Sequence, residues 1–481
     1  MRWWDAGVRW KAALAVANAV ALGIAARGWV RASALAVAAL GVLLILRSFR
    51  SGPSGILMLP GVPEVTGGVL LGRGFEWAPE SAQELLETGR EPWPADGDLV
   101  LPDALLQQHV LILGTTGVGK TRLLELLALQ AIARGDAVII LDPKGDEGLQ
   151  RRVAEKAGRR FRLFSLPHPD RSVRYNPVGR YRDPREVADR IAGLLPSSGD
   201  ALPFRNFAWE IVHVAAGELH GRRPMTLRNL KRAALDRPVG PLAQRPRDHY
   251  LKMASALVPL MSKLATEQLS PESGGLSWEE LDRDRQVCLF SLGSLLGFET
   301  ASAVAKVAVA DLQAYVGDRY AFGKGHGPIW LFVDELADVA TVELVSLLNK
   351  SRGAGLRIIA CAQTLADLEA ALGSRARALQ VTANMNTLVN FRSQNSTDAA
   401  LFSEMAGDRL LRVVSEGAMY EPALLGSGLK GVDDFRARFG ETSDWRERPL
   451  VPPWALVRLP SFHFYARWEG RVYRGRAPLL R

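Results

Sequence analysis

The chain has 481 residues, 48% of them hydrophobic and 23% charged. These are globular proportions, and they exclude a disordered, collagen-like or disulfide-scaffold protein. The length predicts two or three domains. Lys and Arg outnumber Asp and Glu by 60 to 51, a formal charge of +9, and such an excess points to nucleic acid. Position changes that reading. Residues 1–50 hold seven basic side chains and one acid, so the remainder carries 53 basic and 50 acidic groups and is close to neutral.

Between Lys11 and Arg50 the chain is almost wholly apolar, broken only by Arg27-Gly28-Trp29-Val30-Arg31. The uncharged runs Ala12–Ala26 and Ala32–Leu46 have 15 residues each. Each makes about 22 Å of helix, enough for a core of roughly 30 Å only when the flanks count. Flanking Lys and Arg can snorkel to the headgroups, and Trp3, Trp4, Trp10 and Trp29 fall where an interfacial aromatic belt lies. Residues 1–50 therefore read as a two-helix transmembrane hairpin, with a buried hairpin of a soluble core as the rival. A cleaved signal peptide fits less well, because the apolar stretch is doubled and Arg47-Ser48-Phe49-Arg50 is not small-residue cleavage chemistry. Basic residues at both outer ends favour two cytoplasmic termini. Cys288 and Cys361 lie in strand-like apolar runs, as in a reduced compartment.

Residues 51–105, rich in Gly and Pro, read as a connector and the start of a nucleotide-binding domain, with β-like runs at Ile56–Leu59 and Gly68–Leu71 and a helix at Glu80–Thr88. Residues 106–180 then show strand, glycine loop, apolar helix (Thr121–Arg134) and strand, the alternation of a parallel α/β sheet. After Tyr175-Asn176-Pro177 the strands stop, and residues 181–285 read as an all-α insertion. Strand and helix alternate again through residues 286–481, at Gln286–Leu292, Ile329–Val333, Arg357–Ala362 and Thr387–Phe391. The last residues alternate about a turn at Glu469-Gly470, which predicts a closing hairpin.

Gly114-Thr115-Thr116-Gly117-Val118-Gly119-Lys120-Thr121 fits G-x-x-x-x-G-K-[ST] between a predicted strand and a predicted helix. Glycines let the backbone wrap so that amide N–H groups and the helix N-terminus face phosphates. Lys120 supplies a point charge to the β- and γ-phosphates, and Thr121 offers its hydroxyl to Mg²⁺. The partner site should be an acid ending a buried strand, and Ile329-Trp330-Leu331-Phe332-Val333-Asp334-Glu335 supplies it. Asp334 would hold Mg²⁺ and Glu335 would polarise the attacking water; a plain helix cap is the bland alternative for Asp334. Asp142-Pro143-Lys144-Gly145-Asp146 follows the second strand on the same carboxyl edge, where open α/β sheets bind ligands. Lys144 there could face nucleotide, a neighbouring subunit or solvent. Gln363 follows a strand, where an amide either feels a γ-phosphate or bonds its own loop. Arg352 ends the helix before Gly353, a position that suits either the helix dipole or a phosphate across a subunit boundary.

The order of these parts resembles the type IV coupling proteins, the TraG/TraD class of conjugation ATPases within the FtsK/HerA superfamily. The resemblance rests on the membrane hairpin, GTTGVGKT, DPKGD, Tyr-Asn-Pro, the helical insertion, LFVDELAD, the helix ending in SRGAG, and CAQT, and it covers nearly the full length. It implies a RecA-like P-loop NTPase domain carrying an all-α domain, with ATP and Mg²⁺ as cofactors. It also implies a sensor role for Gln363 and a finger role on the neighbouring protomer for Arg352. The family implies a homo-hexamer at the inner membrane, its soluble part in the cytoplasm, passing DNA (single-stranded by expectation) and its relaxase to a type IV secretion channel. Two features depart from the pattern: a turn of about five residues between the spans leaves little periplasmic domain, and no acidic tail ends the sequence.

The near-neutral soluble part suits a motor with local DNA contacts. Arg222-Arg223, Arg245-Pro246-Arg247 and the set Arg228, Lys231 and Arg232 are candidate phosphate contacts by charge, or simply solvated faces. His213 and His220 share a helical stretch without cysteine partners, so no structural metal is expected. Two rival functions stand beside the pump: an FtsK-like DNA translocase, and a secretion receptor that uses ATP for assembly and recruits protein cargo.

Overall fold

Runs of four to seven apolar residues without alternation suit strands covered on both faces, and that is where they fall. The structure, a computed structural model, describes residues 56–94, 96–196, 199–323, 325–422 and 435–480, and the side chains of all of these except 199, 414–422 and 435–442. The transmembrane hairpin expected over residues 1–50 lies outside the described residues. Among those described, no helix is long and apolar enough to cross a membrane.

The chain divides into two compact units. The larger holds β1 (Met58–Leu59), β2 (Gly68–Glu76), β3 (Gly97–Pro102), β4 (Val110–Leu113), β5 (Ala137–Asp142), β6 (Phe161–Ser165), β7 (Val287–Ser291), β8 (Ile329–Val333), β9 (Leu356–Ala362) and β10 (Thr387–Asn390). The smaller comprises Ala78–Asp96 and Arg409–Arg448, and contains the helix Pro79–Thr88 and nearly all of the paired strands β11 (Asp408–Pro422) and β12 (Phe435–Pro449). In it the Gln83 amide and the Arg412 backbone exchange two hydrogen bonds, at 2.9 and 2.8 Å. The chain then returns to the larger unit with β13 (His463–Trp468), β14 (Arg471–Arg476) and β15 (Leu479–Leu480).

Eleven strands form one sheet in the order β3-β2-β14-β13-β10-β4-β9-β8-β5-β7-β6. From β10 to β6 every pairing is parallel, and β4, β5, β7, β8 and β9 are buried at every position. The hairpin expected at the carboxyl terminus is β13–β14, which extends the sheet antiparallel to β10. β2 and β3 continue it, so the Gly- and Pro-rich connector also builds sheet.

Between β6 and β7 the described residues from Pro184 to Arg283 form helices and loops, the longest helix being Leu202–Leu219, apart from a single β-bridge from Leu276 to Tyr175. Tyr175-Asn176-Pro177 pins this segment down. The Tyr175 hydroxyl and the Trp278 indole N–H both donate to Asp311 Oδ2 at 2.7 Å, and Arg190 pairs with Asp311 Oδ1 at 2.8 Å. Asp311 lies on the long helix Ser294–Phe322, and the Asn176 amide donates to the Met225 carbonyl at 2.9 Å.

His109 joins three elements at the amino edge of the sheet. It is fully buried with φ of 63°. Its Nδ1 accepts from the Ile358 N–H in β9 at 3.1 Å, so Nε2 carries the proton and donates to the Leu348 carbonyl at 3.2 Å. Burial above all, and secondarily the Arg352 guanidinium, hold the ring down to about 4, against the opposing pull of the Leu348 bond.

Two stability measurements follow from these buried groups. Asp311→Ala leaves Arg190 as an unpaired buried charge and should cost about 3–5 kcal/mol in urea unfolding, whereas Tyr175→Phe loses one hydrogen bond and about 1–1.5 kcal/mol; equal losses would show that the carboxylate does not anchor the cluster. For His109, the unfolded ring takes its proton near 6.5 and the folded ring near 4. The neutral ring's contribution is thus complete above pH 6.5 and is lost as pH falls toward 4, at about 1.4 kcal/mol per unit. Stability of His109→Gln should fall less steeply than wild type across that window, and parallel curves would refute the assignment.

Candidate nucleotide site

The phosphate loop gets its shape from crowding beneath it. Gly114 and Gly119 have φ of 146° and 115°, and a Cβ at either would lie 2.7 Å from Phe391 Cβ or 2.8 Å from Phe462 Cδ1. The loop is tied to the far half of the sheet by two backbone bonds: Thr115 N–H to the Arg392 carbonyl at 3.0 Å, and Phe462 N–H to the Val118 carbonyl at 2.7 Å. Sequence reasoning missed Phe462. Its only signal was a place at the start of the alternation Phe462, Phe464, Ala466 that predicts the closing hairpin.

The helix Lys120–Ala133 starts immediately after the loop, so its first N–H groups, which have no intrahelical partner, face the loop mouth. The Lys120 ammonium donates to the carbonyls of Gly114 and Thr115 at 2.6 and 2.9 Å. Thr121 Oγ1 donates to Asp334 Oδ1 at 2.8 Å, joining the helix to the end of β8. Asp334 and Glu335 are both buried. The Gln363 amide donates to Glu335 Oε2 at 3.0 Å and accepts from the Thr116 hydroxyl at 3.3 Å. A polar relay therefore runs from the phosphate loop through Gln363 to Glu335.

The Asp142–Asp146 loop is shaped by its own first residue. Asp142 accepts from the backbone N–H groups of Lys144, Gly145 and Asp146 at 2.6–3.0 Å, and Asp146 caps the helix Glu147–Ala157. The turn carries Lys144 to 3.7 Å from Asp334 and 3.9 Å from Glu335. The sequence left nucleotide, a neighbouring subunit or solvent open for Lys144; the structure places its half-exposed ammonium beside the two acids.

Burial sets the electrostatics. Desolvation pushes the carboxyls of Asp334 and Glu335 above their ordinary range; Lys144 is the strongest charge opposing this at Asp334, and the Gln363 hydrogen bond leads the opposition at Glu335. It pushes the Lys120 ammonium below its ordinary value, with Cys361, Glu335 and Asp334 opposing. Each charge is thus costly alone, and a polyphosphate with a divalent cation complements the set. A hydroxyl and a carboxylate are the hard oxygen donors that Mg²⁺ takes alongside substrate phosphates. Among the described residues no group of three or more His, Cys, Asp or Glu could hold a metal without such help.

Arg352 stands apart. The preceding helix ends at Lys350, and Arg352 opens a 3₁₀ turn, Arg352–Ala354, rather than closing the helix. Ser351 bonds back to the Leu347 carbonyl and Gly355 takes the left-handed conformation, so the chain turns straight into β9. The Arg352 guanidinium contacts Asn386 Oδ1 at 3.4 Å. It lies at the amino end of β9 and Gln363 at the carboxyl end, about 23 Å away along seven residues of strand. No side chain crosses that distance within one chain. The remaining expected residues, Gly114, Thr115, Thr116, Gly117, Val118, Gly119, Lys120, Thr121, Asp334, Glu335 and Gln363, converge on the carboxyl edge.

Residues 328–461 match the model of the TraM recognition site of TraD and TraG, and residues 99–176 match that of the central domain of helicase HerA. The type 4 coupling protein DotL of Legionella pneumophila is 39% identical over 67 residues, which are 14% of this chain and 8% of that protein. Among solved structures, the bacterial conjugative coupling protein TrwBdeltaN70 in an unbound form has a TM-score of 0.58 at 19% identity, covering 79% of this chain and 85% of that one. The plasmid coupling protein TrwB in complex with ADP and Mg²⁺ gives the same score and identity over 87% and 95%. VirB4 of Thermoanaerobacter pseudethanolicus gives 0.52 at 12% identity over 87% and 98%. At these identities the structural likeness establishes a RecA-like NTPase fold. Family models, local identity and fold together bear out the resemblance of this chain to the type IV coupling proteins.

Proposed function

We propose that this protein is the coupling ATPase of a conjugative or type IV secretion system, with ATP and Mg²⁺ as its cofactors. In this reading it is a homo-hexamer at the inner membrane, anchored by residues 1–50, with 181–285 as its all-α domain. It recruits a relaxase–DNA complex and drives the DNA into the secretion channel. The observation that carries the reading is the hydrogen-bonded set Thr121–Asp334 and Thr116–Gln363–Glu335, which joins the phosphate loop to Asp334 across 213 residues of sequence and, through Gln363, to Glu335.

Each residue then has a chemical task. Lys120 turns its ammonium from loop carbonyls to phosphate charge, and the helix N-terminus adds backbone donors. Thr121 and Asp334 would hold Mg²⁺ through their oxygens, and the ion would supply charge neutralisation to the phosphates. Glu335 takes a proton from the water that attacks the γ-phosphorus as ADP leaves, and its raised carboxyl suits a base working near neutral pH. Gln363 touches both that base and the phosphate loop, so a change at either reaches the other. Arg352, too far from its own site, serves the site of a neighbouring protomer.

The test is ATP hydrolysis by the full-length protein in lipid, with and without single- or double-stranded DNA. DNA should stimulate turnover, and Lys120→Ala or Glu335→Gln should lower it at least about 100-fold. Unchanged turnover in Glu335→Gln removes the base assignment, and lack of any DNA response favours the receptor that uses ATP for assembly. Mixing Arg352→Ala with Lys120→Ala protomers should restore part of the activity; no recovery in verified mixed assemblies counts against a finger acting between protomers.

A further inference from the structure

The loop after β5 holds its backbone fixed and leaves one charged side chain free to move. The Asp142 carboxylate takes up three of the loop's backbone N–H groups. Two more bonds tie the loop to the end of β7: the Leu292 N–H donates to the Asp142 carbonyl at 3.0 Å, and the Ser294 N–H to the Pro143 carbonyl at 2.6 Å. Gly145 has a φ of 78°, and a Cβ there would lie 3.1 Å from Ser291 Oγ. Lys144 therefore stands on a rigid base, and its ammonium is placed by its flexible four-carbon stem alone.

That ammonium lies 3.7 Å from Asp334 Oδ2 and 3.9 Å from Glu335 Oε2, on a side chain that is 46% exposed. Among the described residues it makes no other hydrogen bond or ion pair. The second ammonium of the site, that of Lys120, is engaged by the carbonyls of its own loop. Asp334 divides its two oxygens, giving Oδ1 to Thr121 and Oδ2 to Lys144. Thr121 has a lone pair to offer a cation, whereas an ammonium is donor only. Lys144 and a divalent cation therefore compete for the same buried carboxylates.

We infer that Lys144 is a built-in counter-ion, whose ammonium holds Asp334 and Glu335 in the nucleotide-free protein and keeps a divalent cation from binding there alone. The charges say why. Two carboxylates and two ammoniums balance, so a lone divalent ion adds two positive charges with nothing to offset them, a few ångströms from Lys144 and poorly screened. A divalent ion accompanied by polyphosphate brings its own negative charge, to which the mobile ammonium can turn while the loop backbone stays in place. Lys144 is thus a positioning residue that makes cation binding conditional on nucleotide. The inference rests on the proposed ATPase reading for the identity of that nucleotide.

The test uses Mn²⁺ in place of Mg²⁺, titrated into nucleotide-free, full-length protein in a non-ionic detergent, with the free ion read from its paramagnetic resonance. Lys144→Met should bind Mn²⁺ at least about 10-fold more tightly than wild type, because a unit charge within 4 Å has been removed. Lys144→Arg keeps the charge and should behave as wild type. Adding Asp334→Asn to Lys144→Met should abolish the gain. Thermal unfolding gives a second readout and shows that the variants fold: added MgCl₂ should raise the Tm of Lys144→Met more than that of wild type. Equal Mn²⁺ affinity in Lys144→Met and wild type, an arginine variant that binds like the methionine one, a gain that survives Asp334→Asn, or parallel Tm responses would each overturn the counter-ion. The two readings fail separately. Wild-type protein that hydrolyses no ATP removes the ATPase reading and leaves these titrations standing, whereas equal Mn²⁺ binding removes the counter-ion and leaves the ATPase.

Discussion

Seven neighbouring strands running the same way are the constraint on which the rest of this protein depends. In a parallel sheet every carboxyl end emerges on one edge, so the loops after β4, β5, β8 and β9 meet there whatever their separation in sequence. The phosphate loop, Asp142–Asp146, Asp334-Glu335 and Gln363 are these loops. The opposite edge collects the amino ends, and with them His109 and Arg352. One sheet thus makes two chemically different faces, one set up to hold phosphate and the other to present a cation.

The carboxyl edge is stable only because its charges answer one another. Asp334, Glu335 and Lys120 are buried, and each would favour its neutral form if left alone. Thr121, Lys144 and Gln363 offset part of that cost through specific contacts. A site balanced this way responds to added charge, which is what a nucleotide and its cation bring. The same logic shaped the helical segment, where Arg190, Tyr175 and Trp278 all converge on Asp311. There the balanced charge serves anchoring instead of chemistry.

The phosphate loop and the acids after β8 were legible because their chemistry demands local order: a glycine loop between strand and helix, and acids directly after a buried strand. Gln363 and Lys144 were legible as polar residues at strand ends, but their targets were not, since only the sheet order brings β9 and β5 beside β8. His109 and Phe462 gave almost no signal. A lone histidine before an apolar run, or a phenylalanine before a hairpin, is ordinary until tertiary packing puts it against Leu348 or Gly119. The paired strands β11 and β12 were missed because they carry many polar and charged residues, so no apolar period marks them.

The sequence by itself determined the fold class, the phosphate loop and its paired acids, because these depend on residues adjacent along the chain. Only the tertiary structure decided which distant groups touch. It turned Lys144 toward the acids, linked Thr116 to Glu335 through Gln363, and removed Arg352 from its own site by the length of a strand. The reason is one of range: propensity and motif act over a few residues, whereas strand order and burial act over hundreds, and partnership between buried charges is a matter of the second kind.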